Sequence, residues 1–119
     1  MQHSEHIDQC LVVEWFRRQY PKQANLLFAI PNGGDRHIAT AVKLKKEGVL
    51  AGVSDLFLMI PAGEYHGLFL EMKAKGGRVS DAQKAFIQSA LVMGYDAKVA
   101  FGFSEAQIII QTYLQGIKK

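Results

Sequence analysis

Two apolar runs dominate the pattern of the chain, Leu56-Phe57-Leu58-Met59-Ile60 and Leu68-Phe69-Leu70, with a short turn-rich segment around Gly63 between them. Runs of this length flanked by turn residues predict an antiparallel hairpin. If its turn is centred on Gly63, residues whose numbers sum to the same total face each other, and successive side chains alternate between the two faces. Leu56, Leu58, Ile60, Leu68 and Leu70 then share one face, and Phe57, Met59 and Phe69 share the other. Both faces are apolar, so both are expected to be covered, as for central strands.

Other periodicities place the remaining elements around this hairpin. A first helix is expected from about Ser4 until Pro21, which cannot continue it. Ile7, Cys10 and Leu11 form an apolar stripe that Glu14 extends; a rotated phase, with Val13 or Trp15 inward and Glu14 solvated, fits the periodicity equally. Leu26 to Ile30 reads as a short buried strand, broken by Pro31-Asn32-Gly33-Gly34. Asp35 is a cap for a helix from about Arg36 to Glu47 that Gly48 stops. Ser80-Asp81-Ala82-Gln83 is a capping box opening a helix to Gly94, with Phe86, Ile87, Ala90 and Leu91 on one face. A strand from Ala97 to Phe101 follows. A second capping box, Ser104 to Gln107, opens a last helix with Ala106, Ile109, Ile110, Tyr113, Leu114 and Ile117 inward. The order is helix, strand, helix, hairpin, helix, strand, helix, which predicts an α/β sandwich with a mixed central sheet flanked by helices.

Composition narrows the class. At 119 residues, 49% hydrophobic and 21% charged, the chain is expected to form a single domain over residues 1–119 rather than a disordered segment. No apolar run approaches the roughly 20 residues that span a bilayer, and Met1 to Glu5 does not read as a signal peptide. A soluble, intracellular, cytoplasmic protein with no membrane partner is expected. The single cysteine, Cys10, excludes an internal disulfide and is expected in the core. A formal net charge of +3 permits a polyanionic partner without requiring one.

The candidate chemistry lies where charge interrupts the hairpin. Glu71 and Lys73 are two apart on a strand and point to one face. In the expected register Asp55 lies opposite Glu71, so two carboxylates become cross-strand neighbours. A partly dry pair of this kind raises one pKa unless a cation separates the charges. A divalent metal resolves the conflict. In the plainer reading Asp55 is a turn residue, with Glu71 and Lys73 a solvated pair where the strand emerges.

Four segments decide between these readings. Gly52-Val53-Ser54-Asp55-Leu56, Glu71-Met72-Lys73, Arg78-Val79-Ser80-Asp81-Ala82-Gln83 and, upstream, Ile30-Pro31-Asn32-Gly33-Gly34 together resemble the VRR-NUC branch of the PD-(D/E)XK, restriction-endonuclease-like nuclease superfamily, in its stand-alone viral or bacterial form. One departure is Ser54, which stands where the superfamily's name places a proline; that position carries no chemistry. The resemblance implies a metal-dependent endonuclease hydrolysing DNA phosphodiester bonds, with Asp55, Glu71 and Lys73 catalytic and Gln83 beside the lysine. It implies Mg²⁺, with Mn²⁺ able to substitute, bound by Asp55, Glu71, the Met72 carbonyl and Glu14 from the first helix. Compact members of this kind resemble Holliday junction resolvases, which implies branched DNA as the partner, roles in repair, recombination or replication, and a homodimer.

Several residues keep a second, structural reading. Gln83 is accounted for by its capping box, and Asn32 and Gly33 by a tight turn; the resemblance places the latter near the active site and the DNA. Arg36 and Lys43 belong to a basic helix face, and Lys75 and Arg78 to a glycine-containing loop; each is either solvated charge or a phosphate contact. Arg17, Arg18 and Lys22 complement a helix C-terminus, with phosphate contact as the second reading. Ile108, outside its helix's inward stripe, hints with Trp15, Phe16 and Tyr20 at a subunit contact. His3 and His6 have helical spacing, but a zinc site with His37 lacks further ligands. The competing function is a catalytically silent nucleic-acid-binding protein of the same fold.

Overall fold

The computed structural model describes residues 4–31 and 38–117. Helix α1 spans Glu5–Gln19, capped by Ser4, whose hydroxyl accepts from Ile7 N at 3.2 Å. Pro21 ends it and opens a 3₁₀ turn, Pro21–Leu26, leading into strand β1, Leu27–Ala29. Helix α2 covers Ile38–Lys46; the expected cap, Asp35, lies outside the described residues. Strands β2, Leu56–Leu58, and β3, Leu68–Lys73, form the hairpin. Helix α3, Asp81–Val92, strand β4, Asp96–Phe101, and helix α4, Phe103–Leu114, complete the order.

The sheet is four-stranded in sequence order, with β1, β2 and β3 antiparallel and β4 parallel to β3. Leu56 pairs with Leu70, Phe57 with Phe69 and Leu58 with Leu68, the register expected from a turn at Gly63. Leu56, Leu58, Leu68, Leu70 and Met72 are fully or almost fully buried on one face, against Val12 and Phe16 of α1 and Ile110 of α4. The buried Ser54 hydroxyl has no hydrogen-bond partner among the described residues. The opposite face is aromatic. Phe57 stacks on Phe69 at 4.5 Å, Phe69 meets Phe86 of α3 edge-on at 5.0 Å, and Phe28 reaches Phe57 at 5.8 Å.

Among the described residues that second face is covered by α3 and by Tyr95, which packs on Phe57 and Phe69, and is left partly open beyond them, which corrects the expectation of two dry faces. Phe28 is 41% exposed and Met59 51%. Helix α2, which follows β1 in the chain, is exposed at every described side chain except the half-buried Leu44.

Two helices differ from their expected phase. In α1 the buried residues are Asp8, Val12 and Phe16, while Ile7, Cys10 and Glu14 are exposed. Trp15, Phe16 and Tyr20 pack with one another, and Trp15 also meets Phe103. Burying those rings outweighs burying Ile7 and a cysteine. The rings therefore serve the interior rather than the subunit contact expected of them, and Ile108 remains exposed without them. Helix α4 starts before its expected capping box: Gly102, at φ +96°, takes the N-cap position without a side-chain bond, and Glu105 instead accepts from Phe101 N at 3.2 Å. A positive φ joins strand to helix here, and glycine adopts it without strain. Ile117, expected inward, is 46% exposed.

Candidate active site

Asp55 sits one residue before β2 and Glu71 near the end of β3, so the hairpin register alone brings them together. Asp55 Oδ2 accepts from Met72 N at 2.7 Å, which fixes its carboxylate against the neighbouring strand. Glu71 is 3% exposed. Its Oε2 accepts from Gln83 Nε2 at 3.0 Å and lies 4.0 Å from Lys73 Nζ, whereas its buried Oε1 accepts from no amide, hydroxyl or ammonium donor among the described residues. Burial first, then the charge of Asp55 and a hydrogen bond shared with it, push the Glu71 carboxyl up to about 8, against the opposing pull of Lys73. Glu5, at the start of α1, adds to the same upward shift.

Both carboxylates open into a cleft of about 1130 Å³ between α1 and the hairpin base. From α1 the lining includes Glu5, Gln9, Val13 and Arg17, each four residues after the last and so on one side of the helix. Glu14 also lines this cleft, but it is exposed and paired with Arg18 at 2.7 Å. Cys10, expected in the core, is exposed on the cleft wall, with Sγ 3.7 Å from His6 Nε2.

The structure thus gathers Asp55, Glu71, Lys73 and Gln83 into one constellation, with the Met72 main chain beside it and Glu14 on the rim. Lys43 is exposed on α2, and Lys75 and Arg78 are exposed on the loop between β3 and α3, where Gly76 has φ +83°. Asn32, Gly33 and Arg36, like His3 and His37, lie outside the described residues. Glu5 and Arg17 were missed as cleft residues. Their signal was the phase of α1: once the aromatic residues fix the inward stripe, the cleft stripe is its immediate neighbour.

The donors suit a hard cation. An unpartnered buried carboxylate oxygen beside a second carboxylate is a site where positive charge is stabilising. Among the described residues no cluster of three or more His, Cys, Asp or Glu side chains is close enough to hold a metal. Two carboxylates with water completing the shell fit Mg²⁺, which keeps several of its waters.

The VRR-NUC domain model matches residues 2–103. This chain belongs to the VRR-NUC family. A solved structure described as a VRR_NUC domain protein is similar to it at a TM-score of 0.87 and 31% identity, over 99% of this chain and 93% of that one. No curated protein matches. Membership in VRR-NUC gives the chain a nuclease-type domain, and the mixed sheet with flanking helices is the fold shared with that structure. Among the described residues no helix is long and apolar enough to cross a membrane.

Proposed function

We propose that this VRR-NUC domain is a Mg²⁺-dependent endodeoxyribonuclease, with Mn²⁺ able to replace Mg²⁺, acting on branched DNA such as Holliday junctions during repair, recombination or replication, as a homodimer. The observation that carries the reading is the Asp55–Glu71 pair, in which Glu71 Oε2 lies 4.0 Å from the ammonium of a lysine only 12% exposed at its side chain while Oε1 is buried with no fixed donor among the described residues. An acid pair this close is unfavourable by itself, and its retention beside Lys73 is explained by chemistry on a phosphate.

Asp55, Glu71 and the Met72 carbonyl would hold the metal, with Glu5 and Glu14 the acids that α1 offers at the cleft. When bound, a divalent cation makes water more acidic and offsets negative charge on the scissile phosphate. Lys73 supplies a preorganised positive charge for the same phosphate and orients the attacking water. Met72 N holds Asp55 in place. Arg17 on the cleft wall, and Lys75 and Arg78 on the loop, attract the DNA backbone, and Lys43 on α2 offers a further exposed cation; a DNA-binding role for Asn32, Gly33 and Arg36 rests on the sequence resemblance alone. Preference for branched DNA rests on the sequence resemblance. Homodimer formation is supported also by the open aromatic sheet face and the solvated α2.

Nicking of supercoiled and four-way-junction DNA tests the reading. Cleavage is expected with Mg²⁺, to be abolished by EDTA, and to fall by about two to three orders of magnitude in Lys73→Ala while DNA binding persists. Binding without metal-dependent cleavage in the parent chain would instead establish the catalytically silent alternative.

A further inference from the structure

We propose that the capping box of α3 is a positioning device for the cation site: the main-chain N–H of Ser80 fixes which way the Gln83 amide faces, and that amide fixes the Glu71 carboxylate. The inference rests on Asp55 and Glu71 being the cation-holding pair.

An N–H group can only donate, so the Gln83 atom 2.9 Å from Ser80 N must be the carbonyl oxygen. The amide nitrogen is thereby aimed the other way, where it lies 3.0 Å from Glu71 Oε2. Ser80 Oγ closes the box by accepting from Gln83 N at 3.1 Å. The two bonds at the amide leave the side chain one orientation. Turned over, the amide would face Ser80 N–H with its own donors and set its oxygen against the carboxylate. With the donor held at Oε2 and Lys73 Nζ 4.0 Å from that same atom, Oε1 is the buried oxygen that no amide, hydroxyl or ammonium donor occupies among the described residues, and so the one left to a cation. A helix cap needs only the two bonds between residues 80 and 83. The third, to a carboxylate twelve positions back in the chain, has no part in starting a helix.

Ser80 has φ −74°, within the range proline adopts, so Ser80→Pro removes the N–H at little cost in backbone strain. Ser80→Ala removes only the hydroxyl. Mg²⁺ affinity is measured by titration calorimetry on the full chain. Ser80→Pro is expected to weaken it about tenfold, the usual scale for groups that orient a metal ligand. Ser80→Ala is expected to lower Tm with affinity within about twofold of the parent. In a Gln83→Met background, where affinity is already weakened, Ser80→Pro is expected to add nothing, because it acts through the amide. Unchanged affinity in Ser80→Pro, or losses that add in the double variant, overturns the proposal. If Ser80→Pro does not fold, Gln83→Met against Ser80→Ala asks the same question. Each breaks the box, only the former loses the donor to Glu71, and equal affinities reject the device. Undiminished Mg²⁺ binding in both Asp55→Asn and Glu71→Gln would remove the cation site itself, a separate outcome.

Discussion

Glu71 carries the sharpest consequence at the level of a single residue, because its carboxyl is raised from 4.5 to about 8 by burial and by Asp55. In the metal-free protein the folded state holds a proton that the unfolded chain has lost, so this group's contribution to stability is complete below about pH 4.5. It declines as pH rises and is gone above about pH 8. A cation that replaces the proton reverses the trend. Thermal unfolding followed by fluorescence should show a metal-free Tm falling from about pH 5 to pH 8, and a Mg²⁺-induced rise in Tm that grows over the same interval. A rise equal at both ends would contradict this assignment. Asp55, Glu71 and Lys73 were legible in the sequence because charge on a hydrophobic strand needs a reason. Glu5 was not, since an acid in the first turn of a helix already has one in the dipole.

Among the elements, the loop from Ala74 to Val79, which continues directly from Lys73, and the cleft side of α1 carry exposed cations. If Lys75 and Arg78 contact phosphates, each replacement by alanine should weaken binding similarly across DNA sequences and reduce the slope of log affinity against log salt by about one. A fluorescence-anisotropy series over salt concentration reads both; an unchanged slope returns them to plain solvated charge. The hairpin was read correctly to the residue because strand periodicity is two and a one-residue slip would turn Leu56, Leu58, Leu68 and Leu70 outward. Helical periodicity is more forgiving. In α1, Ile7, Cys10 and Leu11 compete with Val12, Trp15 and Phe16, and packing against residues distant in sequence, the sheet leucines, Ile110 and Phe103, decides between them. The start of α4 was misread for a related reason: Ser104 and Gln107 match the capping pattern, but the turn out of β4 is set by Gly102.

For the molecule as a whole, an uncovered aromatic surface and an unpacked helix occur in the same chain. Phe28 and Met59 stand partly open to solvent at one end of a sheet face, and α2, at nine residues, is too short to be stable in water without tertiary contacts. A second copy could cover both at once through a two-fold contact, in which the same patch serves both subunits. Light scattering should then report twice the 13.2 kDa of one chain, and Phe28→Asp or Met59→Asp should shift the mass toward the monomer while the far-ultraviolet circular dichroism of the sheet is kept. A parent protein that scatters as a monomer would remove this role for the open face. Another contact ties the halves of the site together within one chain. Gly52, at φ +92°, lies so close to the Ala82 carbonyl and Gln83 N that even a methyl group would collide with them. The segment delivering Asp55 and the helix end delivering Gln83 are therefore seated on each other like two parts of a jig, and neither acid can wander without carrying the other's support with it. Tolerance to mutation should be lowest not at a reactive group but at this bare stretch of main chain, where nothing reacts and nothing else fits.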